Sequence, residues 1–234
     1  MQKIGHDSAY LGKFLEVNQA IALKHNRARW VTKDKTKKNI KPLLVGGKNI
    51  NRYSLKWDGS YLIYNLEGIH SCKTESIFLT KEKIIFRRVS NRLIATLDTK
   101  QFYALHTLVL MNSKTGINNN LKYFLAIFNS KLLTYYYQKV FASTKTIFSE
   151  IGARQVKQLP IRITSTEKQE EVIKCVNKML SLNEKLEELD ETKNNQRDII
   201  KQEIKQTDLE IDELIYDIYN ITKNEKKVIE NSIR

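Results

Sequence analysis

Residues 84–98 read IIFRRVSNRLIATLD, with apolar runs on either side of a short polar centre, Val89-Ser90-Asn91-Arg92. That pattern predicts two strands joined by a tight turn. Arg87, Arg88 and Arg92 then fall near the tip of a hairpin, and Asp98 is the one acid in the stretch that could neutralise any of them. Basic residues at such a tip meet water or phosphate, and the rest of the chain has to decide between the two. Neighbours in a regular strand alternate faces, so Arg87 and Arg88 are expected to take different roles.

Working outward, the first 120 residues read mostly as β-structure. In NRYSLKWDGSYLIYN (51–65), Asp58-Gly59 is a hairpin-turn signal between two alternating segments. Tyr53, Leu55 and Trp57 form one set, and Tyr61 and Ile63 the other. FYALHTLVLMN (102–112) is a further strand candidate. At residue 121 the period changes: LKYFLAIFNSKLLTYYYQKVF (121–141) places Leu121, Phe124, Leu125, Phe128, Leu132 and Tyr136 on one helical face. The tyrosines at 135–137 lie on that helix and read as packing residues rather than base-stacking ones. LPIRI (159–163) reads as a short strand closing the sheet.

Beyond residue 165 the chain changes character. Thr166 and Gln169 have the capping-box spacing that opens a helix. Val172, Val176, Met179 and Leu186 recur at heptad spacing, and Ile200, Ile204, Ile211, Leu214 and Ile218 repeat it after the polar DETKNNQR (190–197). Two helices folded back on each other, each about 37 Å long at about 25 residues, are the natural reading. A turn near Asn194-Asn195 would set Asn183 opposite Gln206 or Thr207; one continuous helix pairing with a second subunit is the alternative. The expected fold is therefore α+β. A curved mixed β-sheet with packed helices occupies residues 1–165, and a long antiparallel helical hairpin for docking or dimerisation occupies 166–234.

Charge is distributed to match. The 234 residues carry a net +14, but residues 1–165 hold 28 Lys+Arg against 9 Asp+Glu, a net of +19, while residues 166–234 net −5. A basic body on a mildly acidic tail implies a polyanionic partner, nucleic acid before an anionic membrane, since no basic amphipathic helix appears in the body. No apolar run approaches the roughly 20 residues needed to span a bilayer, and MQKIGHDSAYLGKFLEV (1–17) lacks the apolar core of a secretion signal. Two distant cysteines, Cys72 and Cys175, fit a reducing, cytoplasmic setting and offer no zinc site.

Catalytic patterns are missing. Gly46-Gly47 lacks the spacing of a phosphate cradle and reads as a turn before a strand. No Asn/Asp-Pro-Pro-aromatic motif of amino-methyltransferases is present, and Pro42 and Pro160 stand alone. LDTK (97–100) offers one acid near a lysine without a second metal-binding carboxylate. His6, His25, His70 and His106 are scattered, and the adjacency of His6, Asp7 and Ser8 is not triad geometry. No catalytic role is assigned to any residue of the chain; a metal-dependent nuclease with acids dispersed in sequence, or a non-specific nucleic-acid binder, stand as alternatives to sequence-specific recognition.

Several segments occur in the order of a known family: KPLLVGGKNINRYSLKWDGSYLIYN (41–65), residues 84–98, LKYFLAIFNSKLLTYYY (121–137), VKQLPIRI (156–163) followed by a Gln-containing helix, and LEIDELIYDIYNITKNEKKVIE (209–230). Together, over about residues 10–230, they resemble the carboxy-terminal specificity domain of TaqI-type restriction–modification enzymes. That domain is related to the target-recognition domains of type I specificity subunits. The resemblance implies a sheet-based domain that reads double-stranded DNA beside a methyltransferase or endonuclease part. That partner part would hold S-adenosylmethionine, and Mg for cleavage; this chain would hold no cofactor. Homodimerisation through the helical tail is a further possibility that the resemblance leaves open.

Within that reading, KHNRARWVTKDKTKKNIK (24–41) is the stretch that would track a phosphate backbone, above all Lys33, Lys35, Lys37 and Lys38; its bland reading is a solvated loop. Arg87, Arg88 and Arg92 could reach guanine O6 and N7 or flanking phosphates. Lys48 and Arg52 precede a strand and are further candidate contacts. Thr144 and Lys145, in the loop FASTKTIFSE (141–150), and Arg154 complete the set.

Overall fold

The computed structural model describes residues 2–24, 27–117, 120–141, 150–190 and 194–233. Its centre is a four-stranded antiparallel sheet in the order Ala95–Asp98, Lys83–Arg87, Leu108–Ser113, Leu15–Gln19. Alternation along these strands sends side chains into two different cores. Ile84, Phe86, Val109 and Met111 enter one with the helices, while Ile85, Leu108 and Leu110 enter the other. A sheet buried on both faces needs apolar residues at consecutive positions, which is why IIF and LVLM are unbroken runs.

The second core lies against a smaller mixed sheet, in which Tyr103–Ala104 runs parallel to Ile40–Leu44, and Tyr61–Ile63 and Val31–Thr32 follow antiparallel. The expected 53–63 hairpin does not form. A turn is present at Asp58-Gly59, with Gly59 at φ 77° and the Ser60 N–H donating to the Asp58 carboxylate at 3.3 Å. Its flanks pair elsewhere: Ser54–Leu55 with Ile50–Asn51, and Tyr61–Ile63 with the smaller sheet. The 84–98 hairpin does form, although its link is the seven residues 88–94 rather than a tight turn. Pro160–Ile161 pairs with Ala9–Tyr10 in a separate two-stranded sheet and does not close the central one.

The helix expected across 121–141 is two helices, Leu121–Asn129 and Lys131–Val140, broken at Ser130. Ser130 takes extended backbone, and its hydroxyl accepts the Leu133 N–H, an N-cap that restarts the helix. The Asn129 amide is spent on the edge of the central sheet, accepting the Ala95 N–H at 2.8 Å and donating to the Ala95 carbonyl at 3.0 Å.

The tail is a helical hairpin, Thr166–Glu188 and Asn194–Ile218, followed by a short helix, Lys223–Ser232. Ser165, not Thr166, is the residue that precedes its first turn, and the Gln169 side chain donates to the Thr164 carbonyl instead of closing a capping box. The link precedes Asn194, so the register differs from the expected one. Lys168 meets Asp217 at 2.6 Å, and Arg197 donates to the carbonyls of Leu186 and Leu189. That register carries Asn183 away from Gln206 and Thr207, and its amide donates within its own helix, to the Met179 carbonyl. Val172, Val176, Met179, Ile211, Ile215 and Ile218 share one core with the sheet and the 121–140 helices. Among the described residues, none between Leu182 and Thr207 is buried, so the far end of the hairpin stands clear of that core.

Candidate nucleic-acid interface

The loop carrying Lys33, Lys35, Lys37 and Lys38 joins Val31–Thr32 to Ile40–Leu44. Asp34 shapes it by accepting the Thr36 N–H at 2.9 Å and the Thr36 hydroxyl at 2.7 Å, and Asn39 turns the chain at φ 56°. The bonds from Thr36 hold the Asp34 carboxyl below the usual carboxylate range. With the one acid of the loop occupied in its own turn, the four lysines stand exposed around it.

The second feature is built at Gly46-Gly47. The Asn49 side chain accepts from the Val45 and Gly46 N–H groups and donates to the Lys56 carbonyl at 2.9 Å, fixing a turn that leaves Lys48 exposed. Arg27 reaches the Val45 carbonyl at 3.4 Å. Arg27, Val45, Gly46, Gly47, Lys48, Val89 and Thr107 line an open groove of about 440 Å³ that has no carboxylate among these residues. A Cβ on Gly46 would stand 3.1 Å from the Thr107 hydroxyl. Bare glycine backbone is therefore part of the floor, a surface that a sugar-phosphate strand can approach closely.

The hairpin arginines flank this groove and part company. Arg87 runs along Gly47 and donates through Nε to the Ile50 carbonyl and through Nη2 to Asn51 Oδ1, both at 2.7 Å. Burial pushes its pKa down from the ordinary arginine value. Arg88 turns the other way, donating to the His106 carbonyl at 3.3 Å and pairing with Glu150 at 2.9 Å. Its backbone is fixed on both sides, by its own N–H to the Thr107 carbonyl and by the Ile151 N–H to its carbonyl. Arg92 is exposed in the 88–94 link, and Arg154 is exposed on the short helix Ala153–Lys157.

Arg52 belongs elsewhere. It sits in the turn between Ile50–Asn51 and Ser54–Leu55, donating to the Asn129 carbonyl and pairing with Asp208 of the tail. Its guanidinium clamps the sheet, the 121–129 helix and the hairpin together, which corrects the expectation that it faces a ligand with Lys48. Thr144 and Lys145 lie outside the described residues. In sequence Gly46-Gly47 reads as a plain turn, and nothing there marks Val89 or Thr107 as groove residues. The signal for the first was a residue pair without side chains directly before Lys48; the other two are brought in only by tertiary structure.

The acid of LDTK is also accounted for. Asp98 lies opposite Lys83 across the hairpin and pairs with it at 2.6 Å, not with an arginine, and both side chains are fully buried. It has no exposure for a metal ion.

Residues 41–161, just over half of the chain, match the model of the TaqI-like C-terminal specificity domain. The chain belongs to this family. The match takes in all residues of the groove except Arg27. Among curated proteins, none matches in sequence. Among solved structures, the specificity domain is similar in fold to part of MmeI, a type IIL restriction–modification enzyme solved in complex with DNA. The TM-score is 0.60 at 7% identity, over 93% of this chain and 34% of that one. The HsdS subunit of Thermoanaerobacter tengcongensis gives a TM-score of 0.48 at 6% identity, over 90% of this chain and 44% of that one. The type I restriction–modification S subunit of M. genitalium gives 0.45 at 14%, over 77% and 39%. The chain thus spans about a third of MmeI and less than half of either subunit. Among the described residues, no helix is long and apolar enough to cross a membrane.

Proposed function

We propose that this chain reads a short sequence of double-stranded DNA as the specificity part of a restriction–modification system. Residues 1–165 would carry the reading surface. Residues 166–234 would dock it to a methyltransferase or endonuclease part, or to a second copy. S-adenosylmethionine, and Mg for cleavage, would be held by that partner part. The observation that carries the reading is the groove between Arg27 and Lys48, cationic and glycine-floored, which lies beside the arginines of the central hairpin in a specificity-domain fold. Affinity would come from Arg27, Lys48 and the Lys33–Lys38 loop on phosphates, and specificity from side chains of the hairpin and its neighbours reaching base edges.

The test is selection from a pool of randomised duplexes at about 150 mM salt, where phosphate contacts alone are weakened. Enrichment of one short motif is the expected result. Retention without enrichment, lost as salt rises, would make the protein a non-specific binder and overturn the reading.

A further inference from the structure

Phosphate contacts leave one side chain at this surface without a purpose. Glu150 carries a carboxylate that is 64% exposed and bonded to Arg88 at 2.9 Å. An exposed acid repels the phosphates that the surrounding cations attract. Asp58, another acid near the groove, is three-quarters buried; it accepts the Ser60 N–H of its own turn and meets the Lys48 ammonium at 3.5 Å. Glu150 has no comparable duty: among the described residues, its carboxylate bonds only to Arg88. Its backbone, by contrast, is held firmly. Glu150 forms a β-bridge to Val89, and its carbonyl accepts the Tyr137 hydroxyl at 3.1 Å. The fold therefore holds this carboxylate across from Val89, which lines the groove, and beside a guanidinium whose main chain is equally fixed.

A carboxylate on a DNA-facing surface is accommodated where it meets a hydrogen-bond donor, and the major groove offers one in the N4 amino group of cytosine. Arginine matches the partner base, since a guanidinium fork fits guanine O6 and N7. Both side chains have capacity to spare. Nη1 and Nη2 of Arg88 each hold one hydrogen in the bonds to His106 and Glu150, which leaves a second hydrogen on each nitrogen. Glu150 Oε2 takes Arg88, which leaves Oε1. We propose that Arg88 and Glu150 together read one G·C base pair, Arg88 donating to guanine and Glu150 accepting from cytosine N4. This rests on the reading of the chain as a sequence-specific DNA binder. Within it, the ion pair is a positioning device: each partner fixes the rotamer of the other before DNA arrives, so little ordering remains to be done on binding.

The experiment is the duplex selection repeated with Glu150→Gln and Arg88→Gln in the full chain. Glu188→Gln, at the far end of the tail, serves as a control for the loss of one negative charge. The wild type should enrich a motif containing a fixed G·C position. Glu150→Gln should lose discrimination at that position by about tenfold or more while the other positions stay fixed. Arg88→Gln should relax the same position, and Glu188→Gln should leave the motif intact. An unchanged motif for Glu150→Gln, with tighter binding to every duplex, would reduce the pair to an electrostatic brake and overturn the proposal. No motif for the wild type would overturn the functional reading itself, a distinct outcome.

Discussion

Asp98 ends the stretch on which the fold turns, and the fold consumes it. Its carboxylate takes Lys83 Nζ at 2.6 Å and the N–H groups of Lys100 at 2.8 Å and Phe102 at 2.9 Å, while Lys83 also donates to the Phe78 carbonyl at 2.8 Å. Burial pushes the Lys83 ammonium down, and the Asp98 charge opposes that push. Such a pair contributes little net stability when intact and costs much when halved. Asp98→Asn should cost about 3–5 kcal/mol in urea denaturation. Adding Lys83→Met to that variant should recover much of the loss, because no buried charge is left unpaired. A loss below about 1 kcal/mol for Asp98→Asn would mean that Lys83 escapes to water. The partnership was legible in principle, since Lys83 and Asp98 face each other in the hairpin register. The sequence alone does not single it out, because three arginines nearer the turn are equally plausible partners for Asp98.

At the level of elements, periodicity over a long segment was legible in the sequence, whereas the local signals at Asp58-Gly59 and at Thr166 with Gln169 did not decide the strand pairing or the cap. The 84–98 hairpin and the two-helix tail announce themselves by periodicity. The break at Ser130 does not: the apolar period runs on through it, while Ser130 caps a new helix and the neighbouring Asn129 bonds to Ala95, 34 residues away. The final helix shows the local kind of control. The Thr222 hydroxyl accepts the Glu225 N–H, the Glu225 carboxylate accepts the Thr222 N–H at 2.7 Å, and Lys3 meets the same carboxylate at 2.8 Å. The Lys3 hydrogen bond, with those from Thr222, holds the Glu225 carboxyl down at about 2 instead of 4.5. A depressed carboxylate stabilises the fold above its ordinary pKa, and that contribution is lost as pH falls from about 4.5 toward about 2. Thermal midpoints at about pH 3 and pH 7 should therefore differ more for the wild type than for Glu225→Gln. An equal difference would show that the box is not formed in solution. Thr222→Ala should cost about 1 kcal/mol at neutral pH.

Across the whole molecule, the basic surface divides into cations that face outward and cations that hold the fold together, and composition cannot tell them apart. Lys48 and Arg27 line the groove, while Arg52, four residues from Lys48 in sequence, is turned to Asp208, 156 residues away. Salt dependence distinguishes the two kinds. Removing a phosphate contact lowers the slope of log affinity against log salt by about 0.9. The double variant Arg27→Ala/Lys48→Ala should lower the slope by nearly 2, whereas Arg52→Ala should leave it unchanged and instead lower the denaturation midpoint. A fall in slope for Arg52→Ala would place it back on the DNA. The candidate site was thus legible as a charge pattern, while which cations the fold itself uses depends on contacts between distant parts of the chain. The amide of Asn129 has a consequence at this scale as well. Ala95 begins the outermost strand of the central sheet, where an open backbone would serve as a template for another chain. With that amide closed over Ala95, and the Tyr53 N–H on the same carbonyl at 3.0 Å, part of this border is sealed from within. The carboxamide of Asn129 and the main chain of Tyr53 thereby withdraw Ala95 from pairing with the edge of a second copy.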